Sequence, residues 1–232
     1  MENARAIQRH LSAWVVAEGK CEIPNLIGRI EIASTKESNQ SATIQAQICI
    51  HSNPSRTLLE RKVAVKTTAF PSQPGLHSFR KVPAVIAALG KLNRVPNLFI
   101  CDGRGLTGPD SFGVASHVGL ITNIPTIGVR PIKPKHLPEK LGLKRGSWVP
   151  LESGNGAILR VLNGQDPVLI SPAHKIGLQS AIEQILNYLP ASLDNRTYQQ
   201  FLYPDTKQLQ HKENTSKPEK GHLTLIKSAT GQ

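Results

Sequence analysis

Residues 99–129 read FICDGRGLTGPDSFGVASHVGLITNIPTIGV. A short apolar run, Leu98-Phe99-Ile100-Cys101, delivers one carboxylate, Asp102, into a glycine-rich turn, Gly103-Arg104-Gly105. Gly113-Val114-Ala115-Ser116-His117 follows, small residues at helical spacing, and Thr126-Ile127-Gly128-Val129 is a second apolar run. Strand, acidic turn, helix, strand is the order that right-handed crossover connections favour. A carboxylate at the C-terminal end of such a strand stands where open α/β sheets place their chemistry. The neighbouring glycines allow positive φ and close backbone approach, so a phosphate or metal can come near.

Upstream of that unit, residues 26–33 alternate. Gly28, Ile30 and Ile32 fall on one face, Arg29, Glu31 and Ala33 on the other, which predicts a strand carrying charge on its second face. Residues 42–51 and 57–66 read as two further strands joined by a Ser-Asn-Pro-Ser turn. Residues 3–18 have the spacing of an amphipathic helix, and FPSQPG (70–75) is a loop. A helix is expected over 78–93 with Ser78 as its N-cap. Pro83 should kink its first turn or delay its start to Val82. Downstream, 130–146 is a basic, proline-punctuated loop, and 157–162 and 167–170 are strands around Asn163-Gly164. Helices are expected over 175–189 and 193–202, and the lysine-rich tail 204–232 as disordered.

The net charge is +12, from 28 Lys+Arg against 16 Asp+Glu. Such an excess favours a polyanionic partner, DNA or RNA, with affinity that falls as salt rises. The basic residues are dispersed rather than gathered on one amphipathic face, which argues against a membrane surface. No apolar run reaches the roughly 20 residues needed to span a bilayer. The N-terminus lacks the layout of an export signal, so a cytoplasmic protein is expected, as a monomer. Cys21, Cys49 and Cys101 are too few and scattered for a disulfide framework or a zinc knuckle.

Three segments together resemble the endonuclease V family: PSQPGLHSFRKVPAVIAAL (71–89), the 99–129 block, and SPAHKIGLQSAIEQIL (171–186). The resemblance covers roughly residues 20–203. It implies a single α/β domain over 1–203, ribonuclease H-like, with a mixed central sheet flanked by helices. It implies a Mg2+-dependent nuclease (Mn2+ being the alternative ion) that cuts nucleic acid near inosine. Phosphodiester hydrolysis of that kind uses carboxylates from different strands to hold two cations about 4 Å apart.

Asp102 matches the family's strand-end carboxylate. Glu31 falls where the family has an aspartate in its first strand, and the two are the expected metal ligands. The alternative for Glu31 is a strand glutamate paired with Arg29. Where the family has a glutamate after Phe-Arg, this chain has Lys81, which cannot ligate while protonated. His174 matches the family's late active-site histidine, and its alternative is a helix-start histidine bonded to backbone. His117 reads as a packing and hydrogen-bonding brace for the Asp102 turn. Ser72 stands where the family has a tyrosine wedge, and serine cannot stack on a base. Gly108-Pro109-Asp110 replaces His-Pro-Arg, and Pro131 replaces a lysine, for which Arg130 or Lys133 could substitute. Gly103, Gly105 and Gly113 match residues that shape the lesion pocket, though they equally serve the fold, and the resemblance also implies Gly75 among the substrate-binding residues. Two functions follow: an endonuclease V-like nuclease, or a relative that binds nucleic acid with its metal cage impaired.

Overall fold

A computed structural model describes residues 2–37, 41–107, 111–132 and 136–202. The expected tail 204–232, Gly108-Pro109-Asp110 and Lys133 lie outside the described residues. The elements run α1 (Glu2–Ser12), β1 (Leu26–Glu37), β2 (Ala42–Ser52), β3 (Leu58–Thr68), α2 (His77–Leu89), β4 (Leu98–Asp102) and α3 (Val114–Thr122). They continue with β5 (Thr126–Pro131), β6 (Trp148–Pro150), β7 (Ala157–Leu159), β8 (Val168–His174), α4 (Leu178–Tyr188) and α5 (Asn195–Leu202). Among the described residues eight strands join one sheet in the order β3-β2-β1-β4-β5-β8-β7-β6. The β1–β4 and β4–β5 pairs are parallel, and the other pairs are antiparallel. This is the mixed sheet that the resemblance implied.

Period-2 alternation sorts the strand residues onto two faces. Ile30, Ile48, Phe99 and Cys101 point to the layer formed with Val85 of α2 and Val118 of α3. Ile27, Leu98, Ile100, Ile127 and Ile170 pack with Ile182 and Ile185 of α4 and Tyr198 and Leu202 of α5. Glu31 and Asp102 share the parity of the second set, so both carboxylates stand on the α4–α5 side of the sheet.

Several boundaries moved, each for a tertiary reason. The first helix stops at Ser12 rather than reaching 18, because the chain beyond it is bound edgewise: Lys175 N–H donates to Val16 O at 2.5 Å and Gly177 N–H to Gly19 O at 2.8 Å. The second helix begins at His77 with Leu76 as N-cap, so Ser78 is not the cap, and its buried hydroxyl has no partner. Pro83 lies within this helix, which neither breaks nor starts late. The last strand runs on to His174 beyond the expected 170, and α4 starts at Leu178 rather than at 175. The three-residue β6 falls where no strand was expected. Its edge pairing with β7 supplies backbone hydrogen bonds that no local pattern announces.

Candidate active site

The parallel register of β1 and β4 pairs Gly28 with Phe99, Arg29 with Ile100 and Ile30 with Cys101. The next residues on the two strands are Glu31 and Asp102. Neighbouring strands lie about 4.8 Å apart, so the two carboxylates stand side by side, Asp102 at the C-terminal end of β4 and Glu31 midway along β1. Asp102 is the last residue of β4, and a small cleft beside it is lined by Arg29, Ile100, Val129, Phe201 and Leu202.

Electrostatics divide the two carboxylates. Burial pushes the Asp102 pKa up; Lys81, Arg130 and Arg29, in that order, pull it down, and Glu31 adds a smaller upward push. Burial prevails, so Asp102 takes a proton more readily than an exposed aspartate. Glu31 is tied at both oxygens: Arg29 Nε donates to Oε1 at 2.7 Å and Gln47 Nε2 to Oε2 at 3.0 Å. The Arg29–Glu31 pair is 10% and 15% exposed, so it is nearly desolvated rather than a solvated surface pair. Three cations around two carboxylates leave the cluster with one net positive charge.

The turn that follows Asp102 is held by its backbone. Gly103 N–H donates to Val129 O at 3.3 Å, Gly105 N–H to Ser171 Oγ at 2.8 Å and Leu106 N–H to Pro172 O at 3.1 Å. None of Gly103, Gly105 and Gly113 has a positive φ, which corrects the conformational half of their reading. They are required by close approach: a Cβ on Gly105 would meet Pro172 O at 2.3 Å, and one on Gly113 would meet Arg104 O at 1.8 Å. Gly75 is the opposite case, with φ +82° and nothing near its missing side chain.

The other expected residues separate. His174 is not brought to the carboxylates. It pairs with Thr126, while Asp102 pairs with Val129 three residues further along β5, about 10 Å away at the opposite end of the strands. Nor does it start a helix. Its Nδ1 accepts from Val16 N–H and its Nε2 faces Asn123 Oδ1, both at 3.4 Å, and burial with Lys175 lowers its pKa. It fastens the segment after α1 to β8. Arg130 is exposed beside Asp102, on the residue after Asp102's partner Val129. Ser72 is half-buried in the loop before α2. His117 sits between Phe112 and Phe79 with ring centroids 5.2 and 5.5 Å away, so it braces by packing, and its buried Nδ1 has no partner.

Sequence reasoning missed Gln47, Ser171, Arg80 and Phe201. Arg80 is fully buried and donates to Ser41 O at 2.9 Å and to Phe70 O, pinning the 70–76 loop to the start of β2. Its place beside Lys81, in the segment that carried the resemblance, was the available signal. Gln47 and Ser171 gave none, since each acts across strands far apart in sequence.

Among the described residues no group of three or more His, Cys, Asp and Glu could hold a metal. The pair Asp102–Glu31 therefore does not fit a two-metal cage. It does fit a single Mg2+-like ion, which is commonly held by one or two carboxylates and completed by substrate phosphate and water.

A mixed sheet of this order, with one carboxylate midway along its first strand and another at the end of the adjacent parallel strand, is a ribonuclease H-like scaffold. The family model described as Endonuclease V matches residues 9–194, and the chain belongs to that family. It is 37% identical over 196 residues to Endonuclease V of Nostoc sp., covering 82% of this chain and 86% of that one. Endonuclease V of Rippkaea orientalis is 36% identical over 194 residues, covering 82% of each. The crystal structure of Endonuclease V from Streptomyces avermitilis superposes with a TM-score of 0.76 at 31% identity, over 89% of this chain and 93% of that one. The Ciona intestinalis Endonuclease V, solved with a 24-mer DNA containing an inosine, shares the fold at 16% identity, TM-score 0.69, over 90% and 98%. No helix among the described residues is long and apolar enough to cross a membrane.

Proposed function

We propose that this protein is an endonuclease V-type nuclease that hydrolyses a phosphodiester near a deaminated purine, inosine, in nucleic acid. The observation that carries the reading is the register that sets Glu31 and Asp102 side by side on one face, in a chain of this family. Asp102 and Glu31 are the residues that would hold Mg2+, or Mn2+, with Arg130 and Lys81 drawing the phosphate towards them. A bound ion supplies charge stabilisation of the phosphoryl oxygens and a more acidic water. The close-packed turn 103–105 keeps the backbone beside Asp102 fixed, so the carboxylate needs no reorganisation when a strand arrives. The +12 charge suits a polyanionic partner. A second reading, nucleic-acid binding without cutting, is favoured by Lys81 beside Asp102 and by the two hydrogen bonds that already satisfy Glu31.

The test is incubation of an inosine-containing strand with the protein and Mg2+ or Mn2+. Cutting that disappears in Asp102→Ala supports the nuclease. Binding without metal-dependent cutting supports the second reading. Failure to bind nucleic acid at low salt overturns both.

A further inference from the structure

The short helix α5 lies beyond the 9–194 segment that the family model matches, yet its last turn closes the cleft beside Asp102. The helix is well anchored at its start. Asp194 Oδ1 accepts from Thr197 N–H at 2.9 Å as a cap, and Tyr198 is fully buried with its hydroxyl donating to Asp166 O at 2.5 Å. Its far end is held differently. Phe201 is half-buried, and its ring lies under the Arg29 guanidinium, 3.9 Å from Cζ to the centroid. Arg29 Nη2 also donates to Phe201 O at 2.6 Å, while Nε of the same side chain holds Glu31 at 2.7 Å. One guanidinium thus ties the end of α5 to a candidate metal ligand. The bond to Phe201 O takes one of the last carbonyls of the helix, a group left without an intrahelical partner, so the loss of Arg29 leaves the turn held by the packing of Leu202.

We propose that the last turn of α5, Phe201–Leu202, is an autoinhibitory strap over the Asp102 cleft, latched by Arg29, and that a nucleic-acid phosphate opens it by taking the Arg29 guanidinium. Guanidinium binds phosphate by paired, charge-assisted hydrogen bonds, which outcompete one neutral carbonyl and a ring face. Release of Arg29 also frees one oxygen of Glu31, so the cleft opens and the second carboxylate becomes available in one event. The releasing ligand rests on the nucleic-acid reading above; the latch does not.

Two measurements on the full chain test this. Without ligand, Phe201→Ala should speed amide hydrogen exchange in 195–202 by at least threefold and leave β4 unchanged. Phe201→Leu, which keeps apolar packing but loses the ring under the guanidinium, should give a smaller acceleration. Unchanged exchange at 195–202 in both variants overturns the latch. With an inosine-containing 20-mer at low salt, the wild-type 195–202 amides should exchange faster on binding. Phe201→Ala should bind about fivefold more tightly, the size expected from losing one partly buried cation–π contact that holds the strap shut. Protection of 195–202 that stays the same or rises on binding overturns the opening. So does equal or weaker affinity in Phe201→Ala with β4 exchange intact. If neither protein binds the oligonucleotide, the functional reading fails and the phosphate release with it, while ligand-free exchange still decides the latch.

Discussion

Replacing Lys81 by glutamate should convert a weak cation site into a measurable one. Lys81 is half-buried on α2 and is the foremost cation acting on Asp102. Glutamate is as good a helix former as lysine, so the exchange leaves α2 intact. At a separation of about 7 Å in a water-like dielectric, two unit charges interact by about 0.6 kcal/mol. Turning +1 into −1 beside a divalent ion changes the charge product fourfold that amount, about 2.4 kcal/mol, which is roughly 50-fold in affinity. Removing the foremost downward pull on Asp102 also raises its pKa further, so the gain in metal affinity must grow as pH rises and the carboxyl ionises. Melting curves with and without Mg2+ or Mn2+, backed by titration calorimetry, read the effect. At tenfold excess over Kd the ion adds about 1.4 kcal/mol, a rise of about 4 °C for a domain of this size. Wild-type protein stabilised by the ion as strongly as Lys81→Glu would refute the reasoning. A variant that folds normally and shows no metal response would place the obstacle at Glu31, held by Arg29 and Gln47.

Gly128→Ala should destabilise by about 1–3 kcal/mol, because its Cβ would fall 2.6 Å from Gly103 O and from Gly105 N and 2.7 Å from Ser171 Oγ. Denaturant unfolding reads the loss, and an unchanged midpoint would show that the acidic turn yields freely. Burial lowers the His117 pKa from 6.5 to about 4, so the folded state favours its neutral form. Its contribution is complete above about pH 6.5 and is lost as pH falls towards 4, up to about 3 kcal/mol. Unfolding series at pH 7 and pH 4.5 on the wild type and His117→Gln check this, and equal pH dependence in the two would refute it.

Alternation along β1 was legible from residues 26–33 alone, because a side-chain period of two is a local property. It put Arg29 and Glu31 on one face, and the single apolar run before Asp102 placed that carboxylate at a strand end. Lys81 in place of a carboxylate was equally plain, since a residue's charge needs no fold to be read. The antiparallel strands followed by crossovers then left few ways to assemble a sheet. The Arg29–Glu31 pairing was foreseen as an alternative, but its near-complete desolvation was not, because that depends on what covers the strand. Gly105 and Gly113 could be read as special, but what crowds them could not, since it is Pro172 and Arg104 that come close and their own φ is ordinary. His174 sat in a motif whose sequence looked catalytic. Only the antiparallel run of β8 carries it to the end of the strands away from Asp102, where it meets Val16 and Asn123. Phe201 is separated from Arg29 by 172 positions, and nothing in either neighbourhood signals the other. The sequence by itself determined the strands, their charged faces and the chemistry each residue could offer, because these follow from local period and side-chain type. Which groups meet at the cleft, which are drawn off to other partners and what lies over the carboxylates was decided by register and helix packing, which act between segments far apart in the chain.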